Sequence, residues 1–206
     1  MKKSLLLLSS LFVLSNFVSV VAQSNDVAEI IEQREKDYKD LEEVELFTGN
    51  WLVGTDVPAG RYEIKGDGSG NFFVRNESGS SVVNEILDNA DDWGVPSITV
   101  DLEEGHEIEI SGLNAVYFTP YETELRESLG TGTWIVGVDI KAGSYIATTE
   151  AGSGNFFVRS EKGGKTKVNE ILDSEAEWGV DKIALNLEDG QEIEISGLSS
   201  VDFTAR

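Results

Sequence analysis

The residues of this chain that could carry out acid–base chemistry are almost all carboxylates. The sequence has 38 Asp and Glu residues, one histidine and no cysteine. The lack of cysteine excludes thiolate nucleophiles and thiolate metal ligands. The only histidine, His106, begins the segment HEIEI, and a second copy of that segment has Gln191 in its place. We therefore expect His106 to be an exposed strand residue and not a general base, and no G-x-S-x-G motif supplies a serine partner.

Two pairs of glutamates have the spacing that puts both carboxylates on one face of a strand. Glu107 and Glu109 form the first pair, and Glu192 and Glu194 form the second. A glycosidase needs only two carboxylates, so these pairs are candidates for glycoside hydrolysis. The isoleucines between them must face the core, which predicts that the glutamates form a solvated face. We predict no catalytic residue and therefore no enzyme.

Two acidic loops offer the hard oxygen ligands that calcium prefers. Their acids are Asp88, Asp91 and Asp92 in LDNADDW, and Asp173, Glu175 and Glu177 in LDSEAEW. The spacing does not match an EF-hand loop, and the second copy exchanges acids and alanines freely. An ordinary acidic loop is the favoured interpretation and calcium binding is the alternative. No metal ligand or cofactor is otherwise predicted.

Each acidic loop ends in a tryptophan, Trp93 in the first and Trp178 in the second. A flat aromatic ring beside carboxylates and amides can stack on a sugar ring while the polar groups bind its hydroxyls. Trp93 and Trp178 are therefore the candidate ligand-binding residues. The alternative is that each ring closes an open end of a β domain, with its N–H bonded to a carbonyl. Trp51 and Trp134 lie among apolar residues and are predicted to be core.

The chain contains two similar copies of one segment. GNWLVGTDVPAGRYEI begins at Gly49 and returns as GTWIVGVDIKAGSYIA at Gly132, and GSGNFFVR, VNEILD and EIEISGL recur in the same order. This pattern indicates a tandem duplication. Polar residues kept in both copies are either turn formers and internal ion pairs or ligands, and the sequence leaves this choice open. They are Asp56, Arg75, Asn84, Glu85 and Asp88, with partners Asp139, Arg159, Asn169, Glu170 and Asp173.

Short apolar or alternating runs separated by glycine predict antiparallel strands within each copy. The expected fold is all-β, with two tandem small antiparallel β-sandwich or barrel-like domains preceded by an N-terminal helix. The first β repeat domain is predicted over 48–119 and the second over 132–206. VVNEILD is compatible with either a strand or a helical turn.

An acidic amphipathic helix is predicted over 23–47, ahead of the first repeat. Ser24, Asn25 and Asp26 suit an N-cap, and the apolar residues recur at a four-three spacing that Arg34 interrupts. A helix packed on the first β domain is favoured over a coiled-coil or partner-binding stalk, because two or three heptads are too few. Residues 120–131 align with the end of this segment, so we predict a short helical linker there.

The first 22 residues have the features of a secretory signal peptide. Two lysines precede an apolar run, and Val20 and Ala22 are the small residues of a cleavage site. A retained membrane helix is the alternative. Cleavage removes two lysines and no acids, which changes the formal charge from −22 to −24. Such a charge repels nucleic acid and anionic membranes, so neither is expected as a partner.

The pattern G-x-W-x-V-G-x-D-[VI]-x-A-G-x-Y resembles repeat domains of uncharacterised exported proteins of Gram-positive bacteria. The residues that carry the resemblance are Trp51, Val53, Gly54, Asp56, Ala59, Gly60 and Tyr62, and Trp134, Val136, Gly137, Asp139, Ala142, Gly143 and Tyr145. The resemblance implies a secreted β-rich module at the cell envelope and implies no functional residue.

These observations predict a secreted or cell-wall-associated, non-catalytic protein with a binding or structural role. Its expected ligand is an extracellular carbohydrate or another surface protein. Duplication favours binding, because two weak sites on one chain gain avidity without new contacts. A secreted hydrolase or inhibitor with an unrecognised site is the alternative.

Overall fold

The computed structural model describes residues 27–90 and 93–206. These residues form helix α1, over 27–40, and sixteen strands, which confirms the predicted all-β fold with an N-terminal helix. The strands of the first repeat are β1 (Val44–Leu46), β2 (Gly49–Leu52), β3 (Gly60–Asp67), β4 (Ser69–Arg75), β5 (Ser81–Asp88), β6 (Ile98–Leu102), β7 (Glu107–Ser111) and β8 (Ala115–Pro120). The strands of the second repeat are β9 (Ser128–Leu129), β10 (Gly132–Ile135), β11 (Gly143–Thr148), β12 (Ser153–Arg159), β13 (Thr166–Asp173), β14 (Ile183–Leu187), β15 (Glu192–Ser196) and β16 (Val201–Ala205).

The strands of the two repeats correspond one to one, and each repeat contributes two antiparallel four-stranded sets. The first repeat has the orders β1-β8-β3-β6 and β2-β7-β4-β5, and the second has β9-β16-β11-β14 and β10-β15-β12-β13. Side chains alternate between the two faces of a strand, so Ile108 and Ile110 of β7 are buried whereas Glu107, the first residue of the same strand, is exposed. Aromatic side chains join the two sets, as where Phe72 meets Phe118 at 6.0 Å between ring centroids. Each repeat therefore has its own cluster of buried residues.

One sheet runs through both repeats. Strand β6 of the first repeat pairs in parallel with β10 of the second at Thr99 and Gly132, which makes an eight-stranded sheet. Gly132 has a φ of +144°, and a Cβ there would lie 1.9 Å from the Thr99 carbonyl oxygen. Only glycine allows the two backbones to approach this closely. The two predicted β domains are thus joined through their backbones and not only by the linker between them.

Helix α1 is shorter than predicted, because it ends at residue 40 and Val44–Leu46 form strand β1. Strand β1 pairs with β8, where Val44 faces Phe118 and Leu46 faces Val116. The backbone bonds offered by β8 replace those of the predicted last helical turns. Arg34, which interrupts the apolar spacing, is the most buried residue of the helix at 8% exposure.

The predicted helical linker over 120–131 is not helical. Residues 121–127 contain no helix, and Ser128–Leu129 form strand β9 against β16. The side chain of Tyr121 packs edge-on against Trp134 at 5.8 Å, and the Arg126 guanidinium lies over the Tyr121 ring. These contacts hold the segment in a non-helical conformation against the second repeat.

VVNEILD is a strand, as part of β5, and so is its counterpart KVNEILD, as part of β13. This settles the choice left open by the sequence. The predicted signal peptide over 1–22 and the N-cap residues Ser24, Asn25 and Asp26 lie outside the described residues. No helix in the described ranges is long and apolar enough to cross a membrane.

Candidate functional site

Both candidate tryptophans lie at the protein surface. The side chain of Trp93 is 84% exposed and that of Trp178 is 79% exposed. Neither ring closes the end of a sandwich, so the alternative explanation for these residues is wrong. An indole that is this accessible contributes nothing to the core and is available to a ligand.

The loop that presents each tryptophan is held by one buried aspartate. Asp88 accepts hydrogen bonds from the backbone N–H groups of Ala90 and Trp93, both at 3.0 Å. Asp173 does the same for Glu175 at 3.0 Å and Trp178 at 2.7 Å. These N–H groups lower the pKa of Asp173 because they stabilise its ionised form. The two aspartates therefore build the loop, which is a structural use of the residues considered for calcium.

The calcium alternative finds no support from the remaining acids. Asp91 and Asp92 lie outside the described residues. Within the described ranges, no group of three or more His, Cys, Asp or Glu side chains has an arrangement that could hold a metal ion. Glu175 and Glu177 are exposed at the surface of their loop.

Trp93 lines a shallow groove between the two repeats, which we call the junction groove. It encloses about 680 Å³, within the range usual for small-molecule sites. Repeat 1 contributes Asn71, Asn84, Glu85, Ile86 and Trp93, and repeat 2 contributes Gly152, Ser153, Gly197 and Ser199. A second depression shares Asn84 and Glu85 and adds Ser81, Thr133, Asn155 and Ser196. The groove thus combines one exposed indole with amide, hydroxyl and carboxylate groups.

Glu85 is an ionisable group that lines both the junction groove and the second depression. Burial raises its pKa, whereas the side chain of Ser196 and the N–H of Gly197 stabilise the ionised form. The negative charge of Glu194 raises the pKa further. All three of these neighbours belong to repeat 2, so the environment of Glu85 depends on the contact between repeats.

The equivalent surface around Trp178 has the same residue types but only one wall. Asn169 and Glu170 correspond to Asn84 and Glu85, and both are exposed. Their exposure contrasts with Glu85, which is hydrogen-bonded to Ser196 and Gly197 of repeat 2. Within the described residues, the duplication therefore gives one two-sided groove and one open surface, and not two equal sites.

Most other polar residues kept in both copies serve structure. Asp56 accepts the N–H of Leu52 at 2.8 Å, and Asp139 accepts that of Ile135 at 2.7 Å, as turn formers. Arg75 pairs with Glu109 at 3.0 Å. In repeat 2, Arg159 contacts Glu194 and also Glu192, the latter at 3.3 Å.

One of the glutamates predicted to be solvated is buried. Glu192 is 7% exposed, and it accepts hydrogen bonds from Arg159 and from the N–H of Gly163. Burial raises its pKa. Its counterpart Glu107 is exposed as predicted. The difference arises from the loop after β12, which folds over Glu192.

His106 is buried at 5% exposure, so the prediction of an exposed residue is wrong. Its Nδ1 accepts the N–H of Glu103 at 3.2 Å, which holds the turn before β7. Gln191 does the same in the other copy, where its Oε1 accepts the N–H of Glu188 at 3.2 Å. Histidine and glutamine are exchanged because both place an acceptor at this point.

The predicted core position holds fully for Trp134, which is 2% exposed, whereas Trp51 is half-buried. Their indole N–H groups donate to the carbonyls of Gly130 at 2.9 Å and Phe47 at 2.8 Å. The exposure of the two rings differs because β10 has β6 as a neighbour in the eight-stranded sheet, whereas β2 is the edge strand of its sheet.

A charged cluster at the contact between the repeats was not predicted from the sequence. Arg34 contacts Asp101 at 2.6 Å and Asp139 at 3.0 Å, and Arg61 contacts Asp101 at 3.0 Å. Burial lowers the pKa of Arg34, but the two carboxylates outweigh it and keep the pKa above its usual value. The available signal was a difference between copies, since Ser144 and Asn186 stand where the first copy has Arg61 and Asp101.

Comparison of the chain with protein-family models, curated proteins and solved structures gives no match. The function must therefore be inferred from the residues themselves.

Proposed function

We propose that this protein is a secreted or cell-envelope binding protein that holds a carbohydrate in the junction groove. The observation that carries the proposal is the 84% exposed indole of Trp93 on the wall of a groove lined by Asn71, Asn84 and Glu85. Secretion is part of the proposal and rests on the features of residues 1–22 and on the resemblance to exported repeat domains.

The chemistry of the groove fits a sugar better than an apolar ligand. A pyranose ring has a C–H face that packs on an indole and a rim of hydroxyls that needs both donors and acceptors. Asn71 and Asn84 each offer a carbonyl and an NH₂ group, and Glu85 offers acceptors when ionised. A groove that is open along its length also accommodates a chain of several sugar units.

Charge also favours a neutral or cationic polysaccharide over an anionic one. The chain has a formal charge of −22, and Glu85 and Glu194 both line the groove region. Like charges would oppose binding of a polyanion. Neutral glucans and chitin-like or deacetylated amino sugars are therefore the preferred class.

The test is a titration of tryptophan fluorescence with soluble cell-wall polysaccharides, with and without calcium. Binding is expected to quench the emission or shift it to the blue, and calcium is expected to have no effect. Trp93→Ala should abolish binding. Trp178→Ala is the matched control, since the ring sits in the same kind of loop on a surface with one wall, and it should lower affinity by no more than about threefold, or about 0.7 kcal/mol.

A flat titration of the unmodified chain with every polysaccharide would refute the carbohydrate proposal. Equal losses in Trp93→Ala and Trp178→Ala would place binding on the isolated loops and not in the junction groove.

Glycoside hydrolysis is the second candidate, because the pKa of Glu85 is raised by burial in the same groove. A raised pKa is what a proton-donating carboxylic acid needs. Against this role, the second nearby carboxylate, Glu194, is paired with Arg159. Release of new reducing ends from a bound polysaccharide, lost in Glu85→Gln, would establish catalysis; binding without release supports the non-catalytic proposal.

A further inference from the structure

A second and larger cleft lies on the helix side of the contact between the repeats, and we call it the helix cleft. It encloses about 1120 Å³ between α1, the residues 58–61 and 101–104 of repeat 1, and the residues 160–162 of repeat 2. It shares no lining residue with the junction groove. The two sites can therefore be tested separately.

The walls of the helix cleft are partly apolar. Ile30 from α1 and Leu41, the residue directly after it, face the cleft. Pro58, Leu102 and Ile135 from the two repeats complete the apolar part of the wall. Ile30 and Leu41 are half-buried and Pro58 is exposed. An occupant that covers these side chains would remove apolar surface from water, which favours binding.

The unneutralised charge of the helix cleft is negative. Its basic residues are already paired, Arg34 and Arg61 with Asp101 and Lys162 with Glu103. Glu29, Asp40, Glu104 and Glu161 also line the cleft, and none of them forms an ion pair within the described ranges. Carboxylates around a low-dielectric surface create a field that attracts cations.

One buried donor in the cleft wall has no acceptor. Arg61 is 3% exposed, and its Nη1 and Nη2 are bonded to Asp101 and to the Thr133 carbonyl. Its Nε has no hydrogen-bond partner in the described structure. This atom has almost no accessible surface, and the guanidinium lies over the Trp134 ring at 5.0 Å from its centroid, so Arg61 forms a fixed part of the wall and an occupant does not contact the donor.

We propose that the helix cleft binds a basic, partly apolar peptide segment of a partner protein. Lysine or arginine side chains would face Asp40, Glu104 and Glu161, and apolar side chains would cover Ile30 and Leu41. A simple organic cation would satisfy the charge but would not cover the apolar wall.

The test uses the purified protein and a fluorescent peptide of repeated Lys-Leu-Ser units, with binding followed by anisotropy. Asp40→Asn combined with Glu161→Gln removes two exposed charges from two walls of the cleft. Asp40 lies at the C-terminal end of α1, where an acid opposes the helix dipole, so its neutralisation does not weaken the helix. This double variant should bind the peptide about tenfold more weakly, as expected when two close charges are lost.

The matched control is Glu170→Gln combined with Glu177→Gln, which makes the same change of net charge at exposed residues outside the cleft. It should retain affinity within about twofold. Equal losses in the two double variants, or no binding by the unmodified protein, would overturn the proposal, because the attraction would then be to net charge alone or absent.

A second measurement separates the apolar wall from the charges. A peptide of repeated Lys-Ser-Ser units keeps its charge but cannot cover Ile30 and Leu41, and it should bind about tenfold more weakly than the leucine-containing peptide. Equal affinities for the two peptides would contradict the proposed contact of apolar side chains with Ile30 and Leu41. Trp93→Ala should leave peptide binding unchanged, whatever its effect on carbohydrate.

Discussion

Nη1 of Arg34 lies 3.0 Å from Oδ1 of Asp139, although the two residues are 105 positions apart in the chain. Asp139 also accepts the N–H of Ile135, as its counterpart Asp56 accepts that of Leu52. The helix therefore attaches to a carboxylate that both copies already need for a turn. This one contact fastens α1 of the N-terminal segment to the second repeat.

Replacement of Arg34 by methionine should strongly destabilise the protein. Asp139 is 1% exposed and would lose its closest cation, while Nη2 of Arg61 would remain at 3.5 Å from its Oδ1. Removal of one partner from an isolated buried ion pair costs about 3–5 kcal/mol, and that value is the upper limit here because Arg61 stays. Equilibrium unfolding in urea measures the change. Lys36→Met, at an exposed position of the same helix, is the control and should cost less than about 0.5 kcal/mol. Equal costs would show that Arg34 does not hold the repeats together.

Replacement of Gly132 by alanine should open the contact between β6 and β10. The new Cβ would lie 1.9 Å from the Thr99 carbonyl oxygen, so the strands must separate. Gly49→Ala is the matched control, because Gly49 has a φ of +155° but its Cβ would meet only the Trp51 ring, at 3.5 Å. We expect Gly132→Ala to cost about 1–3 kcal/mol more than Gly49→Ala. Thermal unfolding of both variants measures the two losses of stability. Similar losses would show that the contact between β6 and β10 does not depend on Gly132.

His106 should make the protein less stable in mild acid. Burial lowers the pKa of His106 below its ordinary value of 6.5, in spite of the opposing charge of Glu103. The unfolded chain therefore takes up a proton first, so stability is complete above about pH 6.5 and declines as the pH falls below it. His106→Gln copies the natural Gln191 and should keep stability at pH 7 while removing this part of the decline. Parallel curves of unfolding free energy against pH for the two proteins would refute the prediction.

Carbohydrate affinity should depend on the ionisation of Glu85. Burial raises the pKa of this carboxyl above its ordinary value of 4.5, so it becomes protonated at a higher pH than an exposed glutamate does. The ionised form offers more acceptors to sugar hydroxyls, so affinity should fall as the pH is lowered towards and through this pKa. Glu85→Gln should flatten the profile, whereas Glu170→Gln should leave it unchanged. Fluorescence titrations with polysaccharide, repeated at a series of pH values from neutral to acidic, test both variants.

Local patterns in the sequence were sufficient for the elements that depend on near neighbours. Alternation in HEIEI placed Ile108 and Ile110 in the core, and the turn role considered for Asp56 appears in both copies. The positions of Trp93 and Trp178 after acidic loops led to candidate residues that are both exposed. These features follow from side-chain direction and from hydrogen bonds spanning a few residues.

Three of the errors concern residues whose surroundings come from distant parts of the chain. Helix α1 ends early because β1 pairs with β8, and the predicted linker helix is replaced by packing of Tyr121 on Trp134. Glu192 is buried by a loop from β12. No local pattern reports these partners.

The sequence by itself determined that the protein is a duplicated all-β chain, because glycine spacing and two-residue alternation are local properties of each copy. Only the tertiary structure decided that the copies are not equivalent. Their contact through Thr99 and Gly132 places Glu85 beside Ser196 and leaves Glu170 exposed. Two similar segments acquire different surfaces because a head-to-tail contact uses one edge of each and leaves the other edge of each uncovered.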